Sequence, residues 1–201
     1  MLTFTLNKRH IYLLLIILLA TSCRCGNNHH TVSSPQTPTE MLCSGDLVFR
    51  LGRSLESRVI ASDGKYSHIG IIIRKDSSTL VAHIEPSPNG SEHTKYESLE
   101  DFFHPEVASA GAVMRINELD STQRDKISAY LLSCADITFD HDYILSDSTK
   151  MYCTELVYRA YKCAGLDITH GIRHKLPLAQ EPVVLPSDIF QQNGFRAIWN
   201  Y

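Results

Sequence analysis

The chain has 201 residues, room for one ordinary domain once its ends are set aside, and 43% of them are hydrophobic. A formal charge of -3 excludes the basic surface that tracking a phosphate backbone requires, so nucleic acid is not an expected partner. Six cysteines without a C-x-x-C spacing give no structural zinc site.

The N-terminus carries Lys8, Arg9 and His10, then an apolar run from Ile11 to Ala20. A basic stretch before a short apolar one is the pattern of an export signal. About ten apolar residues are too few to span a bilayer, which takes roughly 20. Ala20-Thr21-Ser22-Cys23 resembles the lipobox of bacterial lipoproteins, with Leu19 four rather than three residues before the cysteine. Residues 1–22 are therefore expected to be a lipoprotein-type signal peptide and Cys23 a lipidated mature N-terminus that holds the protein at a membrane surface. An ordinary secretory signal cleaved nearby is the alternative. Either reading takes the mature protein out of the cytoplasm, and the bacterial cell envelope is its expected location. Residues 23–40 are polar, rich in Ser, Thr, Asn and Pro, and read as a flexible tether. If Cys23 is lipidated, five cysteines remain, so at least one thiol stays unpaired.

The folded domain is expected over 41–201. Asp46 to Arg50 reads as a strand and Ser54 to Ala61 as a short helix. Asp63-Gly64 is a turn. Ser67 to Arg74 is β-branched and nearly all apolar, a buried strand. Thr79 to Ile84 returns after the Asp76-Ser77-Ser78 turn. Glu97 to Phe103 forms a helical turn, and Ala112 to Ile116 another strand. Asp120 and Gln123 have capping-box spacing, and Ile127, Tyr130, Leu131 and Cys134 share one helical face. A second helix runs from about Tyr152 to Ala164, stopped by Gly165. Phe195 to Trp199 is the last strand. Hairpin-linked strands with separate helices make the fold class α+β.

Two residues carry candidate chemistry. Cys153 sits at the start of the second helix, where the dipole and unpaired N–H groups favour a thiolate; the ordinary alternative is a small buried cysteine. His68 lies in an apolar strand that seldom needs an imidazole; the ordinary alternative is a core histidine bonded to a carbonyl. A short hairpin brings His83 close to His68, where it can hold the imidazole's tautomer; Glu85, two positions on and on the same strand face, is the other candidate. His29-His30 and the pair His170 and His174 read as surface residues rather than metal ligands.

Gly45-Asp46-Leu47-Val48-Phe49, Tyr66-Ser67-His68-Ile69-Gly70, the strand ending at His83, and Tyr152-Cys153-Thr154-Glu155-Leu156-Val157 occur in that order. Together they resemble the YiiX/YaeF group of permuted papain-like enzymes, relatives of NlpC-type cell-wall peptidases and of lecithin retinol acyltransferase. The resemblance covers roughly residues 41–190. It implies a circularly permuted papain-like (NlpC-type) fold, with a small antiparallel sheet or partial barrel packed against helices. It also implies Cys153 as nucleophile, His68 as general base, and His83 or Glu85 as the third polar residue. Tyr66 and Tyr152 would line the substrate cleft, although Tyr66 reads equally well as a core aromatic. Glu155 reads as a stabilising carboxylate in the first helical turn. The implied activity is a cysteine hydrolase, with no metal or cofactor, cleaving an amide in a cell-envelope peptide or muropeptide. A lipid-directed acyl hydrolase or acyltransferase, or an inactive peptide-binding module, is the alternative.

Overall fold

The computed structural model describes residues 39–61, 65–87, 92–117, 119–176, 179–192 and 194–201. The expected signal peptide, Cys23, His29-His30 and the Asp63-Gly64 turn lie outside the described residues. Of the expected tether only its last two residues are described, in a 3-10 turn over Thr39–Met41.

The apolar runs form one antiparallel sheet. Its strands are β1 (Leu47–Gly52), β2 (His68–Lys75), β3 (Ser78–His83), β4 (Lys95–Glu97), β5 (Ala108–Ile116) and β8 (Phe195–Asn200), in the order β4-β3-β2-β1-β5-β8. The hairpin of β2 and β3 pairs Ile71 with Ala82 and Lys75 with Ser78. β1 sets Arg50 opposite His68, and β4 sets Lys95 opposite His83. A two-stranded parallel pair, β6 (Thr138–Phe139) and β7 (Lys150–Met151), stands apart from the sheet.

Period-two alternation gives the sheet two apolar faces. On one, Leu47, Phe49, Ile69, Ile71, Ala112 and Met114 pack with helices α3 (Ser121–Ser133) and α4 (Cys153–Cys163). Ile127 and Leu131 come from α3, and Leu156, Val157, Ala160 and Tyr161 from α4. On the other, Val48, Ile72, Val81 and Val113 meet Leu42, Phe103, and Leu99 and Phe102 of α2 (Leu99–Phe102). A further short helix, α1 (Leu55–Ile60), follows β1, and α5 (Pro186–Phe190) precedes β8.

The local signals act as expected at both long helices. Gln123 N–H donates to Asp120 Oδ1 at 2.7 Å and Gln123 Oε1 accepts from Asp120 N–H at 3.1 Å, closing the capping box. After α4 the chain turns at Gly165 with φ +84, a conformation that favours glycine. Three elements are longer or newer than expected: β5 begins at Ala108, and β4 and α5 had no clear periodic signal because they hold only three and five residues. Among the described residues, no helix is long and apolar enough to cross a membrane.

Candidate active site

A strip of polar side chains crosses one face of the sheet. Arg50 on β1 and His68 on β2 are register partners, and His83 on β3 partners Lys95 on β4. His68 Nε2 lies 2.8 Å from His83 Nδ1, a buried hydrogen bond. His83 Nε2 lies 2.9 Å from Glu97 Oε1. That contact is short but out of line with the ring N–H, so it acts as a charge contact more than an aligned bond. The carboxylate still favours the proton on His83 Nε2. His83 Nδ1 then accepts from His68 Nε2–H, and His68 is left with its lone pair on Nδ1.

Gly70 permits this contact. A Cβ there would lie 3.1 Å from His83 Cβ, 3.0 Å from the Ala82 carbonyl oxygen and 2.7 Å from Val81 Cγ1. Phe102 closes the strip from above: its ring stacks near His68 (5.8 Å between centroids), meets His83 edge-on (5.2 Å) and carries the Arg50 guanidinium 4.6 Å from its centroid. Arg50 also donates to the Phe102 carbonyl at 3.0 Å, forms an ion pair with Glu85 and lies 3.7 Å from Glu97. Lys95 holds the other oxygen of Glu85 at 2.7 Å.

Cys153 is the first residue of α4, after Tyr152 at the N-cap. Its sulfur receives the backbone N–H groups of Ile69 and Thr154. The first of these places it beside the residue that follows His68. Cys153 and His68 line one cleft of about 900 Å³ at the end of the sheet, together with Arg50, Glu85, Tyr143 and Tyr152. His68 spends Nε2 on His83, and no direct hydrogen bond joins its ring to the thiol among the described residues. Catalytic contacts of this kind tighten when substrate binds.

The electrostatics correct one expectation. A helix N-terminus alone would favour a thiolate, but here burial pushes the Cys153 thiol up to about 11, with Glu85 adding to the rise and the Ile69 and Thr154 N–H groups and Arg50 offsetting only part. His68 moves the other way. Burial holds it well below the usual imidazole range, and Arg50, His83 and Lys95 beside it push in the same direction. Both displacements favour a thiol and a neutral imidazole over an ion pair at rest.

The structure brings together Cys153, His68, His83, Glu85 and Tyr152 as the sequence suggested. Of the two candidates for the third residue, His83 makes the bond to His68, while Glu85 stands 4.0 Å from His68 Nε2 and is occupied by Arg50 and Lys95. Tyr152 is buried and its hydroxyl accepts from Val184 N–H at 3.2 Å. Tyr66 is the correction. Its ring packs between Phe49 (5.7 Å) and Phe190 (4.8 Å), and it lies outside the lining of the Cys153 cleft. Its neighbour Ser67 lines the cleft instead, next to His68. Glu155 is more than a surface carboxylate: fully buried, it pairs with Arg159 at 2.6 Å, and burial raises it to about 7. His174 bonds the buried Asp188 at 2.5 Å. Cys43, Cys134, Cys153 and Cys163 are all free thiols. Sequence reasoning missed Arg50 and Glu97. A lone arginine inside an apolar strand was a signal for the first; the second had none.

Among the described residues, one cluster holds possible metal-ligand atoms: His68, His83 and Glu85, within 4.8 Å of one another. The sequence had suggested no such set.

The sequence profile of the permuted papain-like amidase enzymes, the YaeF/YiiX, C92 family, matches residues 41–198. The crystal structure of metalloprotein yiiX from Escherichia coli O157:H7 superposes with a TM-score of 0.65 at 22% identity, over 79% of this chain and 97% of that one. At that identity the likeness carries the fold, a permuted papain-like one. No curated protein sequence matches the chain significantly.

Proposed function

This chain belongs to the permuted papain-like amidase family, and on that footing we propose that it is a thiol amidase working through a Cys153 acyl-enzyme on cell-envelope peptides. The observation that carries the reading is the buried His68–His83 bond beside a helix-tip thiol in a shared cleft. As substrate displaces water, His68 Nδ1 takes the Cys153 proton and the sulfur attacks the amide carbon. The backbone N–H of Cys153, free at the first turn of α4, donates to the oxyanion. His68 then returns the proton to the departing amine. Water, deprotonated by the same nitrogen, resolves the thioester. His83 and Glu97 orient the base without touching substrate.

An envelope substrate follows from the export signal and lipid-anchor reading of residues 1–23. The cleft also carries exposed apolar side chains at Ile60, Val107 and Leu176, which suit an acyl group and favour the lipid-directed reading as the second one. The test is Cys153→Ala, with its fold checked by circular dichroism, against muropeptides and N-acylated lipids. Loss of muropeptide cleavage is expected. An unchanged rate refutes the thiol mechanism, and cleavage of the lipid amide alone selects the second reading. Acylation of Cys23, followed by metabolic labelling with a tagged fatty acid, is expected to vanish in Cys23→Ser.

The structural neighbour is described as a metalloprotein, which raises a metal at His68, His83 and Glu85. The residues here do not fit one well. Arg50 and Lys95 hold the only carboxylate of the three and set two positive charges beside the position an ion would take. The imidazoles also satisfy each other at 2.8 Å.

A further inference from the structure

A second cavity, of about 630 Å³, shares no lining residue with the Cys153 cleft, and α1 stands between the two. Ser57 and Ile60 of α1 line the cleft, whereas Arg58 and the following Ala61 line the second cavity. Those are the two neighbouring i, i+3 faces of one helical turn. The helix is pressed onto β1, where a Cβ at Gly52 would lie 2.9 Å from Ser57 Cβ.

The floor of this cavity is apolar. Leu51 of β1 and its register partner Ala110 of β5 supply it. Around the floor stand donors. Arg58 and Lys65 bring two positive charges, and among the described residues no carboxylate pairs with either. Arg50, Arg115 and Arg159 each hold an acid, so the lack of one here is local. Asn200, at the end of β8, adds an amide.

Tyr66 ties these groups to a ligand. The residue is only 7% exposed, with its ring fixed between Phe49 and Phe190. A phenol at that depth ordinarily finds a partner for its hydroxyl. Among the described residues this one has none. Its oxygen is not sealed inside the protein, and the cavity that Tyr66 lines is the space it opens to. Burial raises the phenol above its ordinary range, so it stays a neutral O–H donor. A guanidinium fork matches the two coplanar oxygens of a carboxylate, and a volume of this size suits a small molecule.

We propose that this cavity binds a small organic carboxylate, its oxygens received by Arg58, Lys65 and the Tyr66 hydroxyl and its apolar body laid on Leu51 and Ala110. The site is separate from Cys153 and does not depend on the acyl-enzyme reading.

The probe is 4-fluorobenzoate, titrated against the full chain and followed by its fluorine resonance, with neutral 4-fluorobenzamide as the isostere. Saturable binding of the acid is expected, with the amide at least about 10-fold weaker. Tyr66→Phe, which removes one oxygen and keeps the ring packing, is expected to weaken the acid by about 10-fold, and Arg58→Gln, at an exposed position, by a similar factor. Acetylation of Cys153 by 4-nitrophenyl acetate, with mass spectrometry assigning the site and Cys153→Ala as background, is expected to stay within about twofold in both variants and in wild type saturated with the acid. Absence of saturable binding overturns the proposal, as does equal affinity for acid and amide or unchanged affinity in both variants. Competition between 4-fluorobenzoate and acetylation overturns it as well, since that would put the acid in the Cys153 cleft.

Discussion

Replacing Gly70 by alanine tests whether the approach of β3 to β2 sets the histidine pair. The backbone at Gly70 is ordinary strand, so the perturbation is purely steric. The new Cβ meets the Ala82 carbonyl oxygen at 3.0 Å and His83 Cβ at 3.1 Å, and neither can swing away without moving β3. The Val81 methyl at 2.7 Å must move as well. Overpacking of this kind costs about 1–3 kcal/mol. Removing a glycine from the unfolded chain returns about 0.4–1 kcal/mol. A net loss of about 1–2 kcal/mol is expected, which at a urea m-value of roughly 2 kcal/mol/M lowers the unfolding midpoint by about 0.5–1 M. A displacement of His83 by a few tenths of an ångström also loosens the 2.8 Å bond to His68, and acetylation of Cys153 is expected to slow by about 10-fold or more. A midpoint and an acetylation rate equal to wild type would refute the claim that Gly70 makes room for the pair.

Glu97→Gln removes the charge that fixes the His83 tautomer; turnover is expected to fall by about 10-fold, with thermal stability nearly unchanged because the side chain is a quarter exposed. The pH profile follows from two opposite displacements. His68, depressed well below 6.5, stays a neutral base, and the thiol, raised to about 11, stays protonated. Hydrolysis is therefore expected to be flat from pH 6.5 to about 9, with its acid limb below 6.5; an acid limb above pH 7 would contradict the burial of His68. Glu155 gives a stability prediction. The unfolded carboxyl ionises near 4.5 and the folded one near 7, so the folded state binds the extra proton and stability falls as pH rises through that window, by about 3 kcal/mol in all. Glu155→Gln is expected to gain on wild type by roughly that amount between pH 4.5 and 8, read from urea midpoints at each pH; a constant difference would show that the carboxyl ionises freely.

The main strands, both long helices and the meeting of His68 with His83 were legible because each rests on local periodicity or on hairpin counting. The capping box at Asp120 and the stop at Gly165 are equally local. What escaped depends on neighbours far along the chain. β4 holds three residues with no alternation long enough to read, so Glu97 passed as the start of a helical turn. Tyr66 read equally as cleft lining or as a core aromatic, and its packing against Phe49 and Phe190 rests on residues distant in the chain. The upward displacement of the Cys153 thiol was not legible for a related reason. A helix terminus is visible in sequence, whereas the depth of burial that outweighs it is set by β2, Glu85 and the cleft walls.

The single hydrogen between the two imidazoles gives the site a capacity of one. A second visiting proton would set two cationic rings against each other beside Arg50 and Lys95. On the proposed mechanism the proton lifted from sulfur must depart on the amine before water can surrender its own, so acylation and deacylation are obliged to alternate. Crowded positive charge, rather than any moving part, would then keep the two halves of the cycle in step.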